Sequence, residues 1–301
     1  MSSPHEGPTG ARTGVALSLL GIFTAACALY GWLAWQHGTP WLFGDELEFS
    51  QLSRSIAETG EPARRGEPLG GISLYPYLLA PVWWLDSTAA AYSAAKYVNV
   101  AVMTSALFPT YLLARTVVGR PAALFAALGS VAVPALVYTS FVVEEPLAYA
   151  WSAVTLLLIA RALGTRRRTL VAAAAAASLA APLVRDQLGV LPAVFALAAL
   201  WLLWTSEWAR ARRRNWTTGD WAGAVVLFAG AVIVANAFIA HQSLEWEQAT
   251  RLWKGRMFDY GLWAAGALTI GLGVFPVVAG LAGAWRPRGE PRTPSERAFA
   301  A

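Results

Sequence analysis

Apolar residues fall along this chain in long, nearly unbroken stretches separated by short polar and basic tracts, not at the alternating or helical spacing of half-buried elements. The first stretch covers about 14–35, and others cover 88–117, 121–140, 146–163, 169–184, 188–206, 221–240 and 262–285. A helix needs roughly 20 apolar residues to cross a hydrocarbon core of about 30 Å. Unpaired backbone groups are costly in hydrocarbon, so such segments must be helices or closed-barrel strands, and runs this long exclude barrel strands. The pattern predicts an all-α polytopic membrane protein with about eight transmembrane helices. The first stretch reads as a span, because it is long enough to cross and no small-residue cleavage site follows it.

The polar intervals differ in length. Two are long, 37–87 and 241–261, and two are tight turns around Glu144 and Arg185. Within 45–59, Leu47, Phe49, Leu52 and Ile56 fall mostly on one helical face, while Glu46, Ser50, Ser53 and Arg54 fill the other. That predicts an amphipathic helix lying at the membrane interface, stopped by Gly60 and Pro62. The apolar piece 74–85 is too short to cross and contains Pro76 and Pro81. It reads as interfacial or re-entrant, with Tyr75, Tyr77, Trp83 and Trp84 suited to the headgroup layer. The alanine run 172–177 predicts close helix packing. Residues 1–13 and 287–301 are rich in Pro, Gly and charge and read as disordered. The organisation is then a 1–13 cytoplasmic N-terminus, a 14–285 transmembrane module and a 286–301 cytoplasmic tail.

Composition agrees: 56% of the residues are hydrophobic and only 14% charged, more apolar surface than a soluble domain hides. A net charge of +5 would suggest nucleic acid in a soluble protein, but here the basic residues sit in tracts between apolar stretches, which sets orientation instead. With the N-terminus in the cytoplasm, Arg12, Arg115, Arg120, Arg161, Arg166–Arg168, Arg210, Arg212–Arg214, Arg286, Arg288, Arg292 and Arg297 all fall inside, fifteen of the 23 Lys and Arg residues. Both termini are therefore expected in the cytoplasm of a plasma-membrane protein, with no nucleic acid as partner. Cys27 has no second cysteine to pair with, and His5, His37 and His241 lack the spacing of a metal site.

Three polar features face the non-cytoplasmic side. Asp45-Glu46 opens the interfacial helix, and Asp45 with Glu48 three residues on has the spacing of a capping box. Glu144-Glu145-Pro146 opens the fourth span, where carboxylates and proline favour a helix N-terminus. Arg185-Asp186-Gln187 is a short turn, whose guanidinium suits either pairing with Asp186 or lipid, or a dedicated phosphate site. In the second long loop, Trp246, Trp253 and Tyr260 suit headgroup anchoring or stacking on sugar rings.

Asp45-Glu46 after the first span, followed by a helix ending Arg54-x-Ile56-x-x-x-Gly60, resembles the GT-C superfamily of polytopic glycosyltransferases. That superfamily includes the protein O-mannosyltransferases and the bacterial aminoarabinose and Rgt-like transferases. The Tyr- and Pro-rich piece 74–81, the Glu144-Glu145-Pro146-Leu147-Ala148-Tyr149 opening and the Val184-Arg185-Asp186-Gln187 turn are similar to parts of actinobacterial members, in the same order over about 14–240. The resemblance implies a sugar donor carried on a polyprenyl phosphate, an inverting transfer and an acceptor that the sequence does not name. On that analogy Asp45 is the general base, and Glu46 is grouped with it. Glu46, Glu144 and Glu145 shape the site or hold a divalent cation, Mg or Mn. Arg185 and Lys96 neutralise the leaving phosphate, and Arg54 belongs to the substrate-binding set. Members of the superfamily usually carry more spans, so a partner chain supplying C-terminal elements is also implied. The rival readings are a transporter or lipid flippase, against which no repeated halves are visible, and a non-catalytic relative.

Overall fold

Proline, glycine and serine set the element boundaries. The computed structural model describes residues 8–38, 44–69 and 73–204, and they form an almost wholly helical fold. The expected spans 221–240 and 262–285, the loop with Trp246, Trp253 and Tyr260, and the C-terminal tail lie outside the described residues.

Helix α1, Pro8–Gln36, begins before the expected Gly14. Helix α2, Gly44–Thr59, ends where Gly60 adopts a left-handed φ of 84° and its N–H closes on Ile56 O, as a C-terminal glycine does. Two-residue strands β1 (Ala63–Arg64) and β2 (Glu67–Pro68) then pair antiparallel through Arg65-Gly66, both at positive φ, the geometry of a tight hairpin turn. Helix α3, Leu74–Leu79, is capped by Ser73 and continues as a 3-10 turn, Ala80–Trp84. Helix α4, Thr88–Ser105, is capped by Ser87 and runs almost directly into α5, Leu107–Ala114. Beyond α6 (Arg120–Val131) lie a 3-10 turn (Pro134–Ser140), α7 (Glu145–Thr165), α8 (Arg168–Ala180) and α9 (Val190–Trp204).

The eight-span expectation holds only in part. Among the described residues four helices are long and apolar enough to cross a membrane: Thr13–Gln36, Thr88–Ala114, Glu145–Thr165 and Asp186–Trp204. The predicted 121–140 span is broken, with Arg120–Val131 and Pro134–Ser140 bent by 51°. Pro134 is the cause: it removes an N–H and forces Val133 into an extended conformation. Counting this pair as one span makes five. The predicted 169–184 span, Arg168–Leu183, is apolar but falls in the shorter class.

Packing follows chain order. α1 lies along α4 and α6, α5 and α6 form a hairpin, and α4 packs on α7, which packs on α8 and then α9. The middle of the bundle is filled by Met103, Leu107, Ala123, Ala127, Val131 and Leu136. The alanine run packs as expected on one face, where Ala174 is fully buried against Ile159 and Ala162. A second cluster, with Tyr75, Leu79, Tyr92, Ala95 and Val142, sits under α2 and α3.

That second cluster corrects the interfacial picture of α2. Glu46 and Ser53, assigned to the polar, outward face, are buried, whereas Leu47 on the expected apolar face is 47% exposed. Glu46 and Ser53 turn into the protein beside Leu52 because they find partners there, Ser53 Oγ accepting from Trp83 Nε1 at 2.6 Å, while Arg54 stays exposed. Tyr75, expected among headgroups, is likewise fully buried, while Trp84 is 74% exposed.

Candidate functional site

At the end of the bundle where α2 and α7 begin, three helix-end motifs meet. Asp45 and Glu46 lie in the first turn of α2, and Glu144 and Glu145 lie at the start of α7 with Pro146 in its first turn, as the sequence predicts. Free N–H groups at both helix starts favour negative charge there. Arg185 stands in extended backbone between the end of α8 and the short 186–189 turn.

Arg185 joins the second and third motifs. Its Nη1 is 2.6 Å from Glu145 Oε1, its Nε is 3.6 Å from Glu144 Oε1, and the same Nε donates to Gln187 Oε1 at 2.7 Å. The expected partner Asp186 is adjacent in sequence, and Arg185 forms ion pairs with Glu144 and Glu145 of the α7 start. Burial pushes the Glu144 carboxyl up to about 7, opposed by the Arg185 charge and assisted by the negative charges of Glu145, Asp186 and Asp45. Asp45, Glu144, Glu145, Arg185 and Asp186 thus share one electrostatic neighbourhood, although Asp45 is itself exposed. Beside them a cleft of about 220 Å³ is lined by Phe49, Leu52, Pro76, Tyr77, Glu144 and Arg185, among others. Its wall combines apolar side chains with the charged Glu48, Glu144, Arg185 and Asp186; Asp45 is not part of that wall.

Glu46 lies elsewhere. It is fully buried, and its Oε1 accepts from Tyr92 Oη at 2.7 Å and from Val142 N at 3.1 Å. Lys96, 2% exposed, donates to Ala34 O at 2.8 Å and to His37 O, the carbonyls that end α1, and lies over the Tyr92 ring. A lysine at a helix C-terminus satisfies carbonyls that have no partner within the helix. Lys96 is therefore engaged with α1 and does not reach Arg185 through any of these bonds. Arg54 pairs with Glu58 at 2.8 Å on the open side of α2, outside the cleft wall. Glu48 accepts from Arg64 at 2.9 Å, which ties the hairpin to α2, and Asp45 lies within the helix, so the expected capping box is replaced.

The expected cation set is divided. Glu46 is enclosed with Tyr92 and Val142, Glu144 and Glu145 are held by Arg185, and among the described residues no group of three His, Cys, Asp or Glu is placed to hold a metal ion.

Sequence reasoning passed over Tyr92 and Asn99. With Lys96 they lie at i, i+4 and i+7 on α4, one helical face, and all three are buried. Asn99 Nδ2 donates to Phe141 O at 2.7 Å and contacts Tyr75 Oη at 2.9 Å. That polar stripe within an apolar stretch was the available signal.

Among the described residues, four or five helices long and apolar enough to cross a bilayer define a mostly helical membrane protein. No model of a known family matches this chain, and no significant match exists among curated proteins or solved structures.

Proposed function

We propose that this protein is a membrane glycosyltransferase that takes a sugar from a polyprenyl-phosphate donor and transfers it to an acceptor on the non-cytoplasmic face of the plasma membrane. The observation that carries the reading is the pairing of Arg185 with Glu144 and Glu145 beside a cleft of mixed apolar and charged lining, with Asp45 of α2 near enough to act on Glu144 electrostatically. In this reading Asp45, exposed at the start of α2, deprotonates the acceptor hydroxyl. Arg185, oriented by Glu144 and Glu145, neutralises the departing lipid phosphate, and the apolar residues of the cleft, Phe49, Leu52 and Pro76 among them, take the first isoprenoid units.

Eight spans with both termini inside remain part of the proposal. Support comes from α7: its 21 residues put Arg166 about 30 Å from Glu144, one hydrocarbon thickness. Arg166–Arg168 and the site are at opposite ends of α7, the separation that the positive-inside rule asks of a spanning helix.

Thermal stability in detergent with polyprenyl phosphate, its glycosylated form and neutral polyprenol tests the donor site, because a ligand of the folded state raises its melting temperature. Stabilisation by the phosphorylated lipids, lost in Arg185→Gln, supports the reading and leads to a turnover assay of Asp45→Asn. Equal response to the neutral lipid rejects it. The transporter or flippase reading, favoured by the broken 120–140 helix pair, then replaces it.

A further inference from the structure

We infer that Glu46 is a positioning residue, a buried clamp that fixes α2, and with it Asp45, against the segment carrying Glu144 and Glu145. The carboxylate is fully buried, adjacent in sequence to Asp45, and its Oε1 accepts the backbone N–H of Val142 at 3.1 Å, two residues before Glu144. One side chain thereby sets the relative placement of two acidic motifs about a hundred residues apart in the sequence.

The surrounding bonds act on the same segment. Tyr92 Oη donates to the same Glu46 oxygen at 2.7 Å, which fixes it to α4. Asn99 Nδ2 holds Phe141 O at 2.7 Å, one residue before Val142. Lys96 holds the last carbonyls of α1, just before α2 begins. An apolar side chain would fill this place at lower cost, since a buried carboxylate must be compensated by its partners. What packing alone does not supply is a directional bond to the Val142 N–H.

A positioning role makes a prediction that ordinary stabilisation does not. The charged groups facing Glu144 are Arg185, Glu145, Asp186 and Asp45, and Glu46 is not among them. Glu46 therefore influences Glu144 through the backbone, by keeping it half-buried and near Asp45. Loss of the clamp lets 142–145 shift toward water, and the Glu144 carboxyl returns toward an ordinary value. The purpose of the clamp rests on the transferase reading, but its test needs no lipid, so the two fail separately.

The full-length protein in detergent is melted at pH 5.5 and pH 8 as wild type, Glu46→Gln, Glu46→Ala and Leu107→Ala, the last a cavity variant in the distant mid-bundle core. The wild type is expected to melt lower at pH 8. Glu46→Gln, which keeps a carbonyl oxygen in reach of Val142 N–H, retains that difference. Glu46→Ala loses at least half of it, and Leu107→Ala melts lower at both pH values with the difference intact. Where Glu46→Ala does not fold, Glu46→Asp shortens the reach by one methylene and is expected to reduce the difference. A wild-type difference in Glu46→Ala or Glu46→Asp, an equal loss in Leu107→Ala, or no difference in the wild type overturns the inference.

Discussion

The guanidinium of Arg185 is held 2.6 Å from the carboxylate of Glu145, a contact that ties the turn after α8 to the first turn of α7. Both side chains are about a quarter exposed, so the pair is worth more than a surface ion pair and less than a fully enclosed one. Arg185→Gln leaves Glu144 and Glu145 adjacent with no guanidinium between them. The expected loss is about 1–3 kcal/mol at pH 8. At pH 5.5 the loss is smaller, because Glu144 is then largely protonated and the like-charge repulsion is relieved. Denaturation in detergent at the two pH values measures the difference.

Glu144 gives the protein a pH dependence opposite to that of a salt-bridged carboxylate. Its carboxyl stands near 7 in the folded state and near 4.5 when unfolded, so between those values the folded state binds more protons. Stability therefore falls as pH rises through that window, and the penalty is fully present above about 7. It is on the order of 1–3 kcal/mol. Glu144→Gln removes the titration and is expected to flatten the melting temperature between pH 5 and 8. A melting temperature that still falls in the variant over this range would assign the effect to another group.

Lys96 and Arg54, both assigned to substrate on resemblance, should behave differently. Lys96→Met strips a buried donor from the α1 carbonyls and a positive charge from the neighbourhood of Glu46, and is expected to cost roughly 3–5 kcal/mol. Arg54→Ala breaks only an exposed pair with Glu58 and is expected to change stability by less than about 0.5 kcal/mol. Unfolding of the two variants in one detergent compares them directly.

The helices were legible because an apolar run about the thickness of a bilayer has few alternatives, and Gly60 and Pro146 ended and began helices where expected. Pro134 was equally visible, yet the apolar run on both sides concealed the break it imposes. The acidic motifs and Arg185 were legible as helix-end chemistry. Their partners were not, because Arg185 reaches Glu145 only after α7 and α8 fold into a hairpin. The burial of Glu46 and Ser53 was hidden for a similar reason: polar side chains on a short helix read as solvent-facing until Trp83, Tyr92 and Val142 are known to meet them.

The contact between Tyr75 and Asn99 offers the sharpest test of that enclosed polar layer. Tyr75 Oη donates to Asn99 Oδ1 at 3.1 Å and both residues are fully buried, so Tyr75→Phe removes a donor from an amide that water does not reach. The expected cost is about 1–3 kcal/mol, the penalty of an unsatisfied buried acceptor. Asn99→Leu costs more, because Phe141 O loses its partner as well. The double variant should be less destabilised than the sum of the singles, with a coupling of about 0.5–3 kcal/mol, since the group orphaned by one change is deleted by the other. Strict additivity in that cycle would place the Tyr75 and Asn99 side chains apart.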